Sequence, residues 1–327
     1  MPTTRKPRAG SMQFWPRKRS RRQYARIRSW PEKKEPVMLG FAGYKAGMAH
    51  LLYTDNNKTS KTKGQDISCP VTMVECPPIR VSSVKLYKKD SYGRRTSKEI
   101  NGPADKELSR KVRQPKQTKE KDLESINAED YDDLTLQVNT QPKLTGTGKK
   151  KPELFEIGLG GSMKEKIEYA KNNLGKEIKI TDVFKEGELM DIHAVTKGKG
   201  FQGPVKRFGI GLRPRKSEKA RRGPGSLGGW KGQAHFMYRI SHAGQTGYHQ
   251  RTEYNKWLMR ISSEQKDIEG IHPKGGFKKY GILRNPFILV KGSVAGPAKR
   301  LLRMSVAQRG SKRTPSEAPS IKRIVLE

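Results

Sequence analysis

The sequence predicts a mainly β protein with an α/β insertion and long irregular basic extensions. Three observations carry that prediction. Short runs of strand formers, such as VSSVKLY at 81–87 and PFILVKGSV at 286–294, recur far apart along the chain, a pattern expected of one closed antiparallel barrel with insertions. Between Lys88 and Gly175 the composition turns rich in Lys and Glu. Finally, 33 glycines and 20 prolines stand among 327 residues of which only 32 % are apolar, so part of the chain has no core to join.

The elements follow in order. Residues 1–35 form a basic N-terminal extension, and 36–87 together with 176–300 form the barrel. VMLGFAGYKAGMAHLL (37–52) reads as a strand, a turn and a second strand, followed by strands at CPVTMVEC (69–76) and VSSVKLY. The insertion spans 88–175. Its clearest element is SMKEKIEYAKNNLG, where Ser162 caps a helix with Glu165 at the third position, Met163, Ile167, Ala170 and Leu174 share a face, and Gly175 ends it. Residues 139–153 read as a surface loop. EIKITDVF (177–184) and ELMDIHAVT (188–196) read as a hairpin around Lys185-Glu186-Gly187. A finger lies within 197–260, and 301–327 reads as a basic C-terminal arm.

The formal charge of +37, from 69 Lys and Arg against 32 Asp and Glu, is concentrated rather than spread. Residues 1–35 hold 12 bases and 2 acids, 197–232 hold 11 and 1, and 291–327 hold 9 and 2. Segment 120–133 is net −6 and is expected to face away from any polyanion. In the first segment Phe14, Trp15, Tyr24 and Trp30 stand among Arg17, Lys18, Arg19, Arg21 and Arg22. Guanidinium groups bind phosphate and stack on bases, and aromatic faces take unpaired bases. The second segment has ten glycines and three prolines in 36 residues and no apolar periodicity, so it reads as an extended finger ordered by nucleic acid. Its candidate RNA contacts are Lys197, Lys199, Lys206, Arg207, Arg213, Arg215, Lys216, Arg221 and Arg222. A flexible linker or a solvated tail explains the charge of these segments but not their aromatic residues.

Enzyme chemistry finds little support. The Gly-Lys pairs at 148, 175 and 198 lack the Ser/Thr of a phosphate-binding loop. Gly198, Gly200 and Gly203 have dinucleotide-site spacing, but Pro204 and the sequence after it leave no helix to face a pyrophosphate. His235, His242 and His249 recur every seven residues with no acid between 219 and 252 to complete a metal site. Cys69 and Cys76 are expected to be two buried thiols. No apolar run approaches the roughly 20 residues of a membrane span, and the N-terminus lacks the apolar stretch of a signal peptide. A soluble, cytoplasmic, non-enzymatic protein without cofactor or small-molecule substrate is expected.

Five blocks then carry a family. GSMQFWPRKRSRR (10–22), GFAGYKAGMAHLL (40–52), VTKGKGFQGPVKRFG (195–209), HAGQTGYHQRTEYN (242–255) and KGGFKKYG with NPFILVKGSVAGPAKR (274–300) closely resemble the archaeal and eukaryotic branch of universal large-subunit ribosomal protein three. The match runs in order over nearly the whole chain, with a length like that of archaeal members. The resemblance implies a translation-factor-like barrel with an α/β insertion, direct binding to large-subunit rRNA near its 3′ domain, and early entry into assembly. It also implies an extension toward the peptidyl-transferase centre, neighbouring large-subunit proteins as partners, and Mg2+ only through the rRNA. It places Trp230, in GSLGGW, at a fingertip, and His242, Gln245, Tyr248, His249 and Arg251 in the RNA-facing segment after it; Lys299 and Arg300 close the last block. Ser217, Glu218 and Lys219 stand where the eukaryotic branch has a modified histidine, so that modification is not carried over. A free RNA chaperone or assembly factor is the competing reading.

Overall fold

The structure is a computed structural model that describes residues 8–57, 59–114, 125–217, 220–227, 239–311, 314–315 and 317–326. The strands in chain order are β1 (Gly40–Thr54), β2 (Asp66–Glu75), β3 (Ile79–Asp90), β4 (Gly93–Asn101), β5 (Asp133–Asn139), β6 (Leu154–Gly158) and β7 (Glu177–Ile178). They continue with β8 (Leu189–Val195), β9 (Phe201–Gln202), β10 (Gly244–Gln245), β11 (Gln250–Ser262), β12 (Phe287–Lys291), β13 (Leu301–Val306) and β14 (Ser320–Val325). Three short helices join them: α1 (Met163–Asn173), α2 (Pro204–Phe208) and α3 (Gln265–Gly270). The protein is mainly β, as its strand-forming runs predict. The chain divides into two compact units: unit 1, Met1–Gln23 with Val195–Arg251, and unit 2, Tyr24–Ala194 with Thr252–Glu327.

Unit 2 holds a seven-stranded sheet in the order β13-β8-β11-β12-β2-β1-β14, and β1 pairs with β13 as well. The pairing therefore returns on itself as a ring of six strands, with β14 beside β1. A second sheet runs β4-β3-β5-β6, with β7 on β3. Both sheets feed one core, from Phe41, Met73 and Leu289 to Leu86, Leu136 and Ile157. Helix α1 is built as its sequence predicts: Glu165 accepts the Ser162 N–H at 2.7 Å, Ile167 and Ala170 are buried, and Gly175 has a left-handed φ of 78°. Both cysteines are buried free thiols, and burial pushes both thiol pKa values up.

Four expectations are corrected. No turn interrupts 37–52, because β1 is a single strand with an irregularity between Lys45 and Gly47. Its glycines serve close approach: a Cβ at Gly43 would stand 2.7 Å from Val74 and 2.8 Å from Cys76. Only Glu177–Ile178 of EIKITDVF is strand. Asp182 accepts the Lys179 N–H at 3.0 Å and closes a 3-10 turn over Ile180–Asp182, a local bond that competes with a ladder. The hairpin around Gly187 is therefore absent, and β8 pairs with β13, His193 opposite Arg303. The stretch 301–327 is not a free arm over its strands, since β13 and β14 both pair with β1.

The fourth correction concerns the basic tail, of which Tyr24 and Ala25 are buried in unit 2 and the half-buried Trp30 packs against its core. Tyr24 donates to Leu154 O at 3.0 Å and packs on Phe155, and Ala25 is fully buried. Trp30 lies so close to Gly40 and Gly158 that a Cβ on either would meet its ring at 2.7–2.8 Å. The buried Arg303 guanidinium donates to Ala25 O at 3.2 Å and to Glu156 O, and stacks 4.3 Å from the Phe155 ring. Burial pushes its pKa down to about 9. Tyr24, Trp30 and Arg303 therefore serve the fold.

Two further buried polar groups are bound on all sides. The Glu75 carboxylate accepts from the Tyr280 hydroxyl, the Arg284 and Asn285 N–H groups and the Asn285 amide, which anchors the loop before β12. His193 bridges the hydroxyls of Thr252 (2.9 Å) and Ser305 (3.0 Å). Burial, reinforced by Arg303, lowers its pKa from 6.5 to about 4.

Two measurements follow. Deleting residues 1–23 leaves the melting temperature of unit 2 unchanged, whereas Trp30→Ala costs about 2 kcal/mol of stability, because it removes a packed aromatic that solvent does not replace; calorimetry reads both. Because folded His193 binds its proton less readily than the unfolded chain does, its neutral form stabilises the fold above pH 6.5, and roughly 3 kcal/mol is lost as pH falls from 6.5 to 4. In His193→Gln, denaturant titrations across that window show a correspondingly flatter pH dependence.

Candidate nucleic-acid interface

Among the described residues, unit 1 has little regular structure. Besides the ends of β8 and β11 these residues form the two-residue pair β9–β10 and helix α2, which opens at Pro204 where the sequence predicts no helix, is only five residues long, and is ended by Gly209 at a φ of 70°. The glycine and proline content of 197–232 accounts for this, since no apolar face repeats at helix or strand spacing. Cations and rings hold the unit together in place of a core. Trp15 stacks on Phe208 with centroids 5.7 Å apart, and the Arg17 guanidinium lies 4.3 Å from the same ring. Arg17 also donates to Arg207 O at 3.1 Å, and Arg207 donates to Gln245 O at 3.1 Å and His242 O at 2.9 Å. Ser20 N–H donates to Tyr248 O at 2.8 Å, and His249 Nδ1 to Lys18 O at 2.8 Å.

Two backbone positions show how tightly these strands of chain approach. A Cβ on Gly247 would stand 2.0 Å from Lys197 O, and Gly247 has a left-handed φ of 70°. Tyr248 next to it is also left-handed at 54°, a conformation costly for a bulky residue and found where surrounding structure imposes it. Its ring lies 5.6 Å from the Arg19 guanidinium.

The electrostatics are one-sided. Unit 1 contains 21 Lys and Arg and a single acid, Glu218, which lies outside the described residues. Among the described residues, ion pairs such as Lys85–Glu156 (2.9 Å), Lys111–Glu153 (2.9 Å) and Lys166–Asp133 (2.9 Å) all belong to unit 2. Burial lowers the pKa of Arg17, and burial together with the like charge of Arg17 lowers those of Arg207 and Arg251. Burial also lowers that of His249, with Arg251, Arg17 and Arg207 adding to the shift against the Lys18 hydrogen bond. This set of groups favours an added anion.

The candidates divide by position. Lys18, Arg19, Arg21, Arg22, Lys197, Lys199, Lys206, Arg215, Lys216, Arg221, Arg222 and His242 are exposed, whereas Arg17, Arg207, Arg213, Gln245, Tyr248 and Arg251 are half-buried and His249 is buried. Arg17 and Arg207 are half-buried and donate to backbone carbonyls, so they build the surface that the exposed cations decorate. Lys299 and Arg300 lie in unit 2, tied to β1 by Lys299 N–H to Lys45 O (2.8 Å) and Lys45 N–H to Arg300 O (3.0 Å). Trp230 falls outside the described residues. Of the four tail aromatics, Phe14 remains 46 % exposed, with the Arg251 guanidinium 4.5 Å from its ring. Phe201, which charge counting passes over, is 77 % exposed; an apolar side chain between lysines with no apolar partner in sequence was its only signal. In the acidic stretch, Asp132 accepts the backbone N–H of Lys89 at 2.5 Å, and Asp133 pairs with Arg94 and Lys166, each at 2.9 Å, so Asp133 neutralises bases within unit 2.

The model of a family described as ribosomal protein L3 matches residues 1–323. The chain belongs to the ribosomal protein L3 family. Among its relatives are the large ribosomal subunit proteins uL3 of Methanothermobacter thermautotrophicus, 44 % identical over 96 % of this chain and 95 % of the relative, and of Archaeoglobus fulgidus, 45 % identical over 94 % and 93 %. That of Methanobrevibacter smithii is 45 % identical over 90 % of each chain. The family is structural rather than enzymatic.

Proposed function

We propose that this chain is a structural constituent of the large ribosomal subunit in the cytoplasm, and that unit 1 binds large-subunit rRNA directly. The observation that carries the reading is the ratio of 21 bases to one acid in unit 1. Self-repulsion of that density is relieved by a polyanion, and released counterions supply the affinity. Phosphate contacts by the exposed lysines and arginines position the protein, while Phe14 and Phe201 offer faces on which unpaired bases stack. The resemblance extends this reading to early assembly, to contacts with neighbouring large-subunit proteins and to an extension toward the peptidyl-transferase centre. It also takes the six-strand ring as a translation-factor-like closed barrel.

A free assembly factor would need the same basic unit, so the deciding experiment is incorporation. Tagged wild-type chain sediments stoichiometrically with mature large subunits, and the variant Arg21→Glu with Arg22→Glu is under-represented there while its melting temperature is unchanged. Presence only in immature particles supports the factor. Normal incorporation of the variant removes the tail from the interface.

A further inference from the structure

Within unit 1, segments 197–202 and 244–247 are bound to each other beyond the β9–β10 pair. Lys199 N–H donates to Thr246 O at 2.9 Å and Thr246 N–H to Gly200 O at 2.8 Å. This frame opens a cleft of about 380 Å³ lined by Lys199, Gln202, Lys206 and Thr246. The Gln202 amide donates to Lys199 O at 2.8 Å, which fixes that side chain along the wall. The Thr246 hydroxyl is buried and has no hydrogen-bond partner among the described residues, a costly state for a group that both donates and accepts. Lys199 and Lys206 are exposed and take part in none of the ion pairs. No carboxylate lines the cleft.

Two ammonium groups and an unsatisfied hydroxyl, with no anion among them, are a donor set for a tetrahedral oxyanion. The volume exceeds that of a lone phosphate ion and accommodates the ribose on either side, which favours a phosphate that is part of a chain. We propose that this cleft seats a single backbone phosphate of the bound RNA strand, shared by Lys199 and Lys206 and hydrogen-bonded by Thr246. It thereby sets the register of the strand against β9–β10. The proposal rests on the RNA-binding reading and names a contact within it.

The test uses the full-length chain and protein-free rRNA extracted from large subunits, with affinity measured as a function of salt. A shared phosphate makes Lys199→Gln and Lys206→Gln less than additive, and the double variant lowers the log–log salt slope by roughly 0.7 to 0.9 in total. Additive losses with about twice that change mean two separate phosphates and overturn the shared seat. Thr246→Val weakens binding about ten-fold at unchanged slope, and unaltered affinity overturns the hydroxyl's part. Calorimetry with inorganic phosphate separates the source. Saturable binding that the double variant abolishes, with rRNA affinity untouched, assigns the cleft to the free ion and overturns the proposal. Arg21→Glu with Arg22→Glu serves as the benchmark. If it weakens rRNA binding and the cleft variants do not, the cleft assignment alone fails; if no variant does, the RNA reading fails with it.

Discussion

Like-charge crowding in unit 1 is the constraint on which the rest of the molecule depends. Twenty-one cations and one carboxylate share 80 residues, and such a segment has neither the apolar surface nor the ion pairs to compact itself in the usual way. It is knitted instead by Arg17 and Arg207 donating to carbonyls, by guanidinium groups over Phe14 and Phe208, and by backbone approach at Gly247 that excludes any side chain. Each of these contacts leaves the positive charge in place. These contacts set the path of the chain without neutralising it, so the arrangement is held firmly only once a counter-charge is bound.

Unit 2 handles charge in the opposite way. Glu75 is enclosed by four donors, Arg303 by two carbonyls and an aromatic ring, and His193 by two hydroxyls. Several of its lysines and arginines pair with carboxylates, among them Arg94 and Lys166 with Asp133 of the acidic stretch. The Glu75 and His193 networks, whose members are all paired, hold one packing arrangement. The chain thus separates a scaffold that sets 31 acids among its 48 bases from a binding unit that sets one acid among 21. The net charge of the whole hides that division.

Much of this was legible in the sequence where a single physical signal dominated. Short runs of strand formers located β2, β3, β8 and β12, the capping pair Ser162 and Glu165 located α1, and dense glycine with cations marked 197–232. Readings went astray where two signals competed at one residue. The glycines of 37–52 look like a turn, yet they let β1 pass close to β2 and Phe277. Charge made 24–30 and 301–327 look like arms lying in RNA, but Tyr24 is held by Leu154 and Phe155, Trp30 packs on Gly158, and Arg303 is held by Ala25 and Glu156, all more than a hundred residues away, and no local pattern shows them. The isolated strands β13 and β14 are short and basic, so their pairing with β1 depends on the ring rather than on their own sequence. In the candidate interface the cations were legible one by one. What was not legible is their division of labour, since only burial separates Arg17 and Arg207, which build, from Lys199 and Lys206, which face outward.

The central claim is that unit 1 carries charge that only a polyanion compensates, whereas unit 2 stands without one. Amide hydrogen exchange on the full-length chain, resolved by segment, measures this directly. Without RNA and at low salt, amides of 8–23, 195–217 and 239–251 exchange much faster than those of β1, β2 and β12, and they gain protection on addition of large-subunit rRNA while unit 2 does not change. Equal protection of both units in the free chain at low salt, with no further gain on RNA, would contradict the account.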